Sequence, residues 1–233
     1  MQFGTKDGLP STCARLSLET FDLHSKINRK ILEGKQQTSD IEKVMELLKS
    51  AKELESKFRE WEATLPDMWR PSPVAWIDDS EEISENAFAL PGRIDKFVDI
   101  SIATAINVVG AARLLLIGDI VQATAWLCPP YQDYKATPEY LSAVRTSRQL
   151  IENILASVPY FLGQLPTTEA SSPGPEDLLG TSALALFLTW PLFMTKISDF
   201  ATKDQRKWAA GRLRYIANEK GIGQALTFSS VSH

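Results

Sequence analysis

The densest run of carboxylates in this chain is Asp78-Asp79-Ser80-Glu81-Glu82. Paired acids on a helix wall can hold Mg²⁺ through their oxygens and, through the metal, a diphosphate group. Such a site needs a second ligand-bearing element on a facing helix. The spacing offers Asn153 and Ser157 for that role, with Phe161 where a further acid is wanted. The run also stands among Pro66, Pro71, Pro73 and Pro91, which disfavour a helix there. Taken alone, these acids read as a solvated loop.

The other reactive residue types are scattered. His24 and His233 stand alone in sequence, His24 beside Asp22 on a charged helix face. Neither has the partners of a triad or a zinc site. No Gly-x-Ser-x-Gly elbow occurs. Gly221-x-Gly223 has no third glycine and no preceding strand, so it reads as a helix stop. Cys13 and Cys128 are too far apart in sequence for a zinc motif and do not make a disulfide framework. The segment from Lys203 to Lys220 carries Lys203, Arg206, Lys207, Arg212, Arg214 and Lys220, enough to track phosphates on one helix face. Trp208, Leu213, Tyr215 and Ile216 interleave with them, so the favoured reading is one packed face and one wet, charged face. No catalytic, cofactor-binding or metal residue is predicted, no cofactor is expected, and the chain is expected not to be an enzyme.

The elements that would position these residues are helical. Of 233 residues, 44% are apolar, enough for a buried core, and 25 basic against 29 acidic side chains give no general attraction to nucleic acid. The amino terminus lacks the apolar region of a signal peptide. Residues 12–34 predict a first helix, with Leu16, Phe21, Leu23, Ile27 and Ile31 on its apolar face. Ile41, Val44, Leu48, Ala51, Leu54, Phe58, Trp61 and Leu65 recur every three or four residues. That is a helix face capped at Thr38 or Ser39 and ended by Pro66, and it packs on a core rather than in a free coiled coil. Residues 66–91 read as a long Pro-rich loop, and Ile94–Gly118 as a long central helix. Thr137-Pro138-Glu139 starts another helix, with Leu141, Val144, Ile151, Leu155 and Val158 buried and Pro159 as its stop. A second loop covers about 166–177. Leu178–Thr195 follows, 18 residues without a charge, near the lower limit for a membrane span but broken by Pro191, and so read as a buried helix. Thr202-Lys-Asp-Gln205 is a capping box that opens the last helix. The expected fold is all-α, a single domain over residues 1–233 with those two loops, with Trp61, Phe97, Trp190, Phe193, Trp208 and Tyr215 as aromatic anchors.

Several segments in one order resemble the fungal-specific regulatory region of Zn(II)2Cys6 transcription factors. They include Trp61-Glu-Ala-Thr-Leu-Pro66, Pro91-Gly-Arg-Ile-Asp95, Ser157-Val-Pro-Tyr-Phe-Leu-Gly163, Leu188-Thr-Trp-Pro-Leu192 and Gly211-Arg-Leu-Arg-Tyr-Ile216. Members of that family read DNA through six cysteines holding two zinc ions, and this chain has two cysteines, so no zinc ligand carries over. The resemblance implies a helical regulatory domain that acts by protein contact in the nucleus, or alternatively in the cytoplasm. A full-length transcription factor is a candidate partner, and no direct sequence-specific DNA binding and no membrane association are expected. It also suggests a link to secondary-metabolite gene clusters. Independently of the resemblance, helical bundles commonly place a ligand pocket between helices, and Tyr160 and Trp190 are the candidate lining residues. The rival reading takes Asp78-Asp79-Ser80-Glu81-Glu82, which satisfies the acidic pattern of terpene cyclases, as the metal site of a small magnesium-dependent biosynthetic enzyme.

Overall fold

The computed structural model describes residues 9–34, 37–78, 84–166 and 175–231. Seven α-helices and one two-stranded antiparallel ribbon make up the described chain, in the order α1 (Leu9–Leu32), α2 (Thr38–Ala63), β1 (Ser72–Ile77), β2 (Gly92–Lys96), α3 (Ile100–Leu127), α4 (Pro138–Phe161), α5 (Pro175–Ile197), α6 (Lys203–Glu219) and α7 (Gly223–Ser230). The fold is mostly all-α, as the periodicity predicts. The chain divides into two compact units that are discontinuous in sequence. The first holds residues 1–65 and 109–149, the second residues 66–108 and 150–233.

In the first unit α1 and α2 pack together. The turn between them uses Gly34 at φ 65°, left-handed backbone that a glycine adopts without strain. The cap of α2 is Gln37, one position before the predicted Thr38 or Ser39. Its N–H donates to the Asp40 carboxylate, whose acid can reach back from the first turn. Asp40 also pairs with Lys30 and so ties the end of α1 to the start of α2. The predicted stripe is the buried one: Val44, Ala51, Leu54, Phe58 and Trp61. Full burial of one such aliphatic or Phe side chain is worth about 1.5–3 kcal/mol. Ile41 at the start of the stripe stays exposed.

The second unit corrects the sequence reading of residues 66–91 as a structureless loop. A 3-10 turn covers Asp67–Trp69, and β1 pairs with β2, with Val74 bulged out between the Pro73↔Asp95 and Ala75↔Ile94 pairs. No period-two pattern announces this ribbon. In β1, Ser72, Pro73, Val74 and Trp76 are all exposed, and in β2 the neighbours Ile94 and Asp95 are both buried. Proline fits because β1 has an unpaired edge and needs no donor there. Gly92 opens β2 at φ 122°, again backbone reserved for glycine. The central helix therefore begins at Ile100 rather than Ile94, and it runs on to Leu127, past the predicted end at Gly118.

Two further boundaries, and the burial along α4 and α5, differ from expectation. Pro159 lies inside α4, which continues to Phe161; the proline removes a single donor near the last turn, so the helix tolerates it. Leu141, expected in the core, is exposed and Val144 is half-buried, whereas Ile151, Leu155 and Val158 are buried as expected. Helix α5 begins at Pro175, inside the second predicted loop. It is apolar but not hidden all round: Ala185, Leu188 and Leu192 are buried while Leu186 and Phe187 are exposed. Of the described helices, Ile100–Leu127 alone is long and apolar enough to cross a membrane, and 67% of its most apolar window is buried inside the protein, as in a core helix.

Helix α6 packs on α5, and α7 packs on both. The predicted capping box forms: Gln205 N–H donates to Thr202 Oγ1 (3.1 Å) and Thr202 N–H to Gln205 Oε1 (2.9 Å). Gly221 ends the element with φ 73°. The short α7 has no counterpart in the sequence reading. Phe228 stacks on Phe193 of α5 at 4.5 Å, and Lys196 donates to the carbonyls of Phe228 and Val231. Of the expected aromatic anchors, Trp61, Phe97 and Trp208 are buried, while Trp190, Phe193 and Tyr215 are half-buried.

Candidate functional site

Each unit holds a buried arginine. In the first, Arg113 of α3 is 4% exposed and clamped by two acids of α2, with Nη2 2.7 Å from Glu55 Oε1 and Nη1 2.8 Å from Glu62 Oε2. Burial works against its charge, but the two carboxylates win and push its pKa up. The same unit holds His24, which the sequence leaves alone. Its Nδ1 lies 2.8 Å from Oδ1 of the buried Asp119 on α3, and the Asn28 amide reaches its Nε2 at 2.9 Å. The bond to Asp119 raises the histidine pKa against the opposing effect of burial. The signal was invisible because α1 meets Asp119 across 95 residues of sequence.

In the second unit, the predicted wet face of α6 is only partly wet. Arg212 is 3% exposed, and its guanidinium lies over Tyr215 (5.0 Å) and Trp208 (5.7 Å). Its one hydrogen bond to a described residue is a long 3.5 Å contact with the Glu85 carbonyl. Burial pushes its pKa down. The segment Glu85–Ala87 sits tightly on this helix: Trp208 Nε1 donates to Ala87 O (2.9 Å), Arg214 pairs with the Glu85 carboxylate (2.8 Å), and a Cβ at Gly211 would lie 2.2 Å from Glu85 O. Only glycine permits that approach.

Beside this packed region the second unit opens a cavity of about 380 Å³, within the range of small-molecule pockets. Its floor is apolar, made by the buried Ala89, Leu155 and Ala156. Trp76 and Arg93 stand opposite each other in the ribbon register, and both line it. Arg93 is already engaged, with Nε 2.8 and 2.9 Å from the two oxygens of buried Asp95 and Nη2 2.7 Å from Asn153 Oδ1. Burial pushes the Asp95 carboxyl up, and Arg93 pulls it back. On α4, Glu152, Leu155 and Ala156 share one face by their spacing of three and four. The capped first turn of α6 closes the rim with Thr202, Asp204 and Gln205. Glu152 and Asp204 take no ion pair or hydrogen bond from any described residue. Two clefts of the first unit, which share Lys52 and Arg59, differ in this respect. There Lys52 pairs with Glu139 and Arg59 with Glu55.

The residues singled out in the sequence fall as follows. Asp78 is exposed just past β1, and Asp79–Glu82 lie outside the described residues, as does His233. The proposed partners of that acidic run are committed elsewhere: Asn153 accepts from Arg93, and Ser157 exchanges hydrogen bonds with Asn107. Among the described residues no cluster of three His, Cys, Asp or Glu is placed to hold a metal. Tyr160 and Trp190 do not line the cavity; Tyr160 packs on Phe97 (5.4 Å) and Trp190 on Phe193 (5.9 Å). Burial raises the Cys13 thiol to about 12, which keeps it protonated and unreactive.

The chain is 26% identical over 170 residues to a curated protein, the transcription factor dbaG of Emericella nidulans. The aligned region covers 71% of this chain and 39% of that protein, so the chain spans well under half the length of this relative. No family model matches the chain, and no solved structure matches it. The similarity supports a role of the transcription-regulator kind and points away from an enzyme.

Proposed function

We propose that this chain is the helical regulatory domain of a transcription factor of the Zn(II)2Cys6 type, acting in the nucleus through protein contacts rather than by reading DNA with these residues. The observation that carries the reading is the 170-residue similarity to a transcription factor. The mostly helical fold is compatible with it, and so is the amino-acid makeup: two distant cysteines and net charge −4 supply neither a zinc cluster nor a basic field for duplex DNA. A full-length factor is the proposed protein partner, and control of a secondary-metabolite gene cluster the proposed setting. The test is a reporter gene driven by the chain fused to an unrelated DNA-binding domain. Transcription should rise or fall several-fold relative to the DNA-binding domain alone. An unchanged reporter, with the fusion expressed and nuclear, overturns the proposal.

A further inference from the structure

We propose that the cavity of the second unit is a binding site for a small organic cation, a primary or quaternary amine carrying a compact aromatic or apolar body. The site is defined by its lining and does not depend on the regulatory reading. Its positive member is spent: the Arg93 guanidinium is held by Asp95 and Asn153 and contributes no net attraction for an anion. Its negative members are free: Glu152 and Asp204 are unpaired among the described residues, so the open rim carries two uncompensated carboxylates.

The two acids are not equivalent. Asp204 is in the first turn of α6, where the helix's positive end offsets part of its charge. Glu152 lies in the body of α4, far from either end, and keeps its full attraction for a cation. Trp76 adds what a carboxylate cannot. Its indole is 71% exposed, directly opposite Arg93 in the ribbon, and an aromatic face of this kind attracts ammonium groups and stacks on flat hydrocarbon. The apolar floor of Ala89, Leu155 and Ala156 takes the body of such a ligand out of water. An anion of the same shape would meet the two carboxylates with no free cation to receive it. The cavity's size admits one such molecule rather than a peptide.

Isothermal titration calorimetry on the full chain tests this with two probes of matched shape and opposite charge, 2-phenylethylammonium and 3-phenylpropionate. The ammonium probe should bind and the carboxylate should not. Glu152→Gln should weaken the ammonium by about fivefold to tenfold, more than Asp204→Asn does, and Trp76→Ala should cost about as much as Glu152→Gln. All three side chains are exposed, so the variants should keep the melting temperature of the parent, which is checked in the same samples. Equal binding of the two probes, binding of neither, or ammonium affinity indifferent to Glu152→Gln and Trp76→Ala would each overturn the assignment. The reporter result leaves this assignment untouched, because binding is read on the isolated chain.

Discussion

Arg113 and Arg212 are equally hidden from water, yet the protein treats them in opposite ways. Arg113 faces two carboxylates in a bidentate and a single contact, and its charge is answered inside the first unit. Arg212 has no described carboxylate; two aromatic rings and one distant carbonyl stand in for it. A buried cation without a counter-charge costs several kcal/mol of lost hydration. The difference shows that burial alone says nothing about what a charge contributes. In the first unit the arginine locks α3 to α2, and in the second it serves as a flat plate stacked between rings of α6.

The sharpest test of that contrast sets Arg113→Met beside Arg212→Met. Removing Arg113 leaves Glu55, whose side chain is only 13% exposed, with just the 4.0 Å contact to Arg59, and should cost about 3–5 kcal/mol. Removing Arg212 takes away a charge that no described carboxylate answers, while methionine keeps apolar contact with the rings, so stability should change by less than about 1 kcal/mol or rise. Urea unfolding of the two variants decides it, and equal losses would break the comparison. A smaller effect belongs to Gly211→Ala. The added methyl must push Glu85 off α6, which removes the Glu85 carbonyl that Arg212 reaches and should cost about 1–3 kcal/mol. A fully tolerated alanine would mean that the seat is soft. The weakest effect should come from the half-buried His24, paired with Asp119 in the first unit. Its pKa in the folded protein is raised by Asp119, so its stabilisation is complete below 6.5, the ordinary value, and is lost as pH rises through the raised folded value. The stability gap between the parent and His24→Asn should therefore narrow from pH 5.5 to pH 9, by about 1 kcal/mol or less. A gap that stays constant across that range would assign His24 a purely steric role.

Helices were legible where the apolar spacing was uninterrupted, as along Val44–Trp61, and where a cap was written locally, as at Thr202 and Gln205. The ribbon was not, because its strands are short, one contains proline, and a buried acid takes the place of an apolar residue in β2. Nor could local pattern place the cavity. Trp76, Arg93, Glu152 and Asp204 come from four separate elements, and nothing within any of them marks it as a wall. His24 and Arg212 were misjudged for the same reason: both were assigned to a charged surface by their neighbours in sequence, while their surroundings are set by α3 and by Glu85.

The discontinuity of the two units has a consequence for how the protein is made. A ribosome delivers α1 and α2 before α3, and the two can pair as soon as they emerge. Arg113 and Asp119 follow only after the whole ribbon segment has been synthesised, a delay of seconds at about 5–20 residues per second. Through that interval Glu55, Glu62 and His24 wait without their partners, and the ribbon waits in turn for α4 and α6. Neither unit can be finished in the order it is translated. Any fragment cut between residues 66 and 108 therefore leaves both units short of a piece, whichever half is kept.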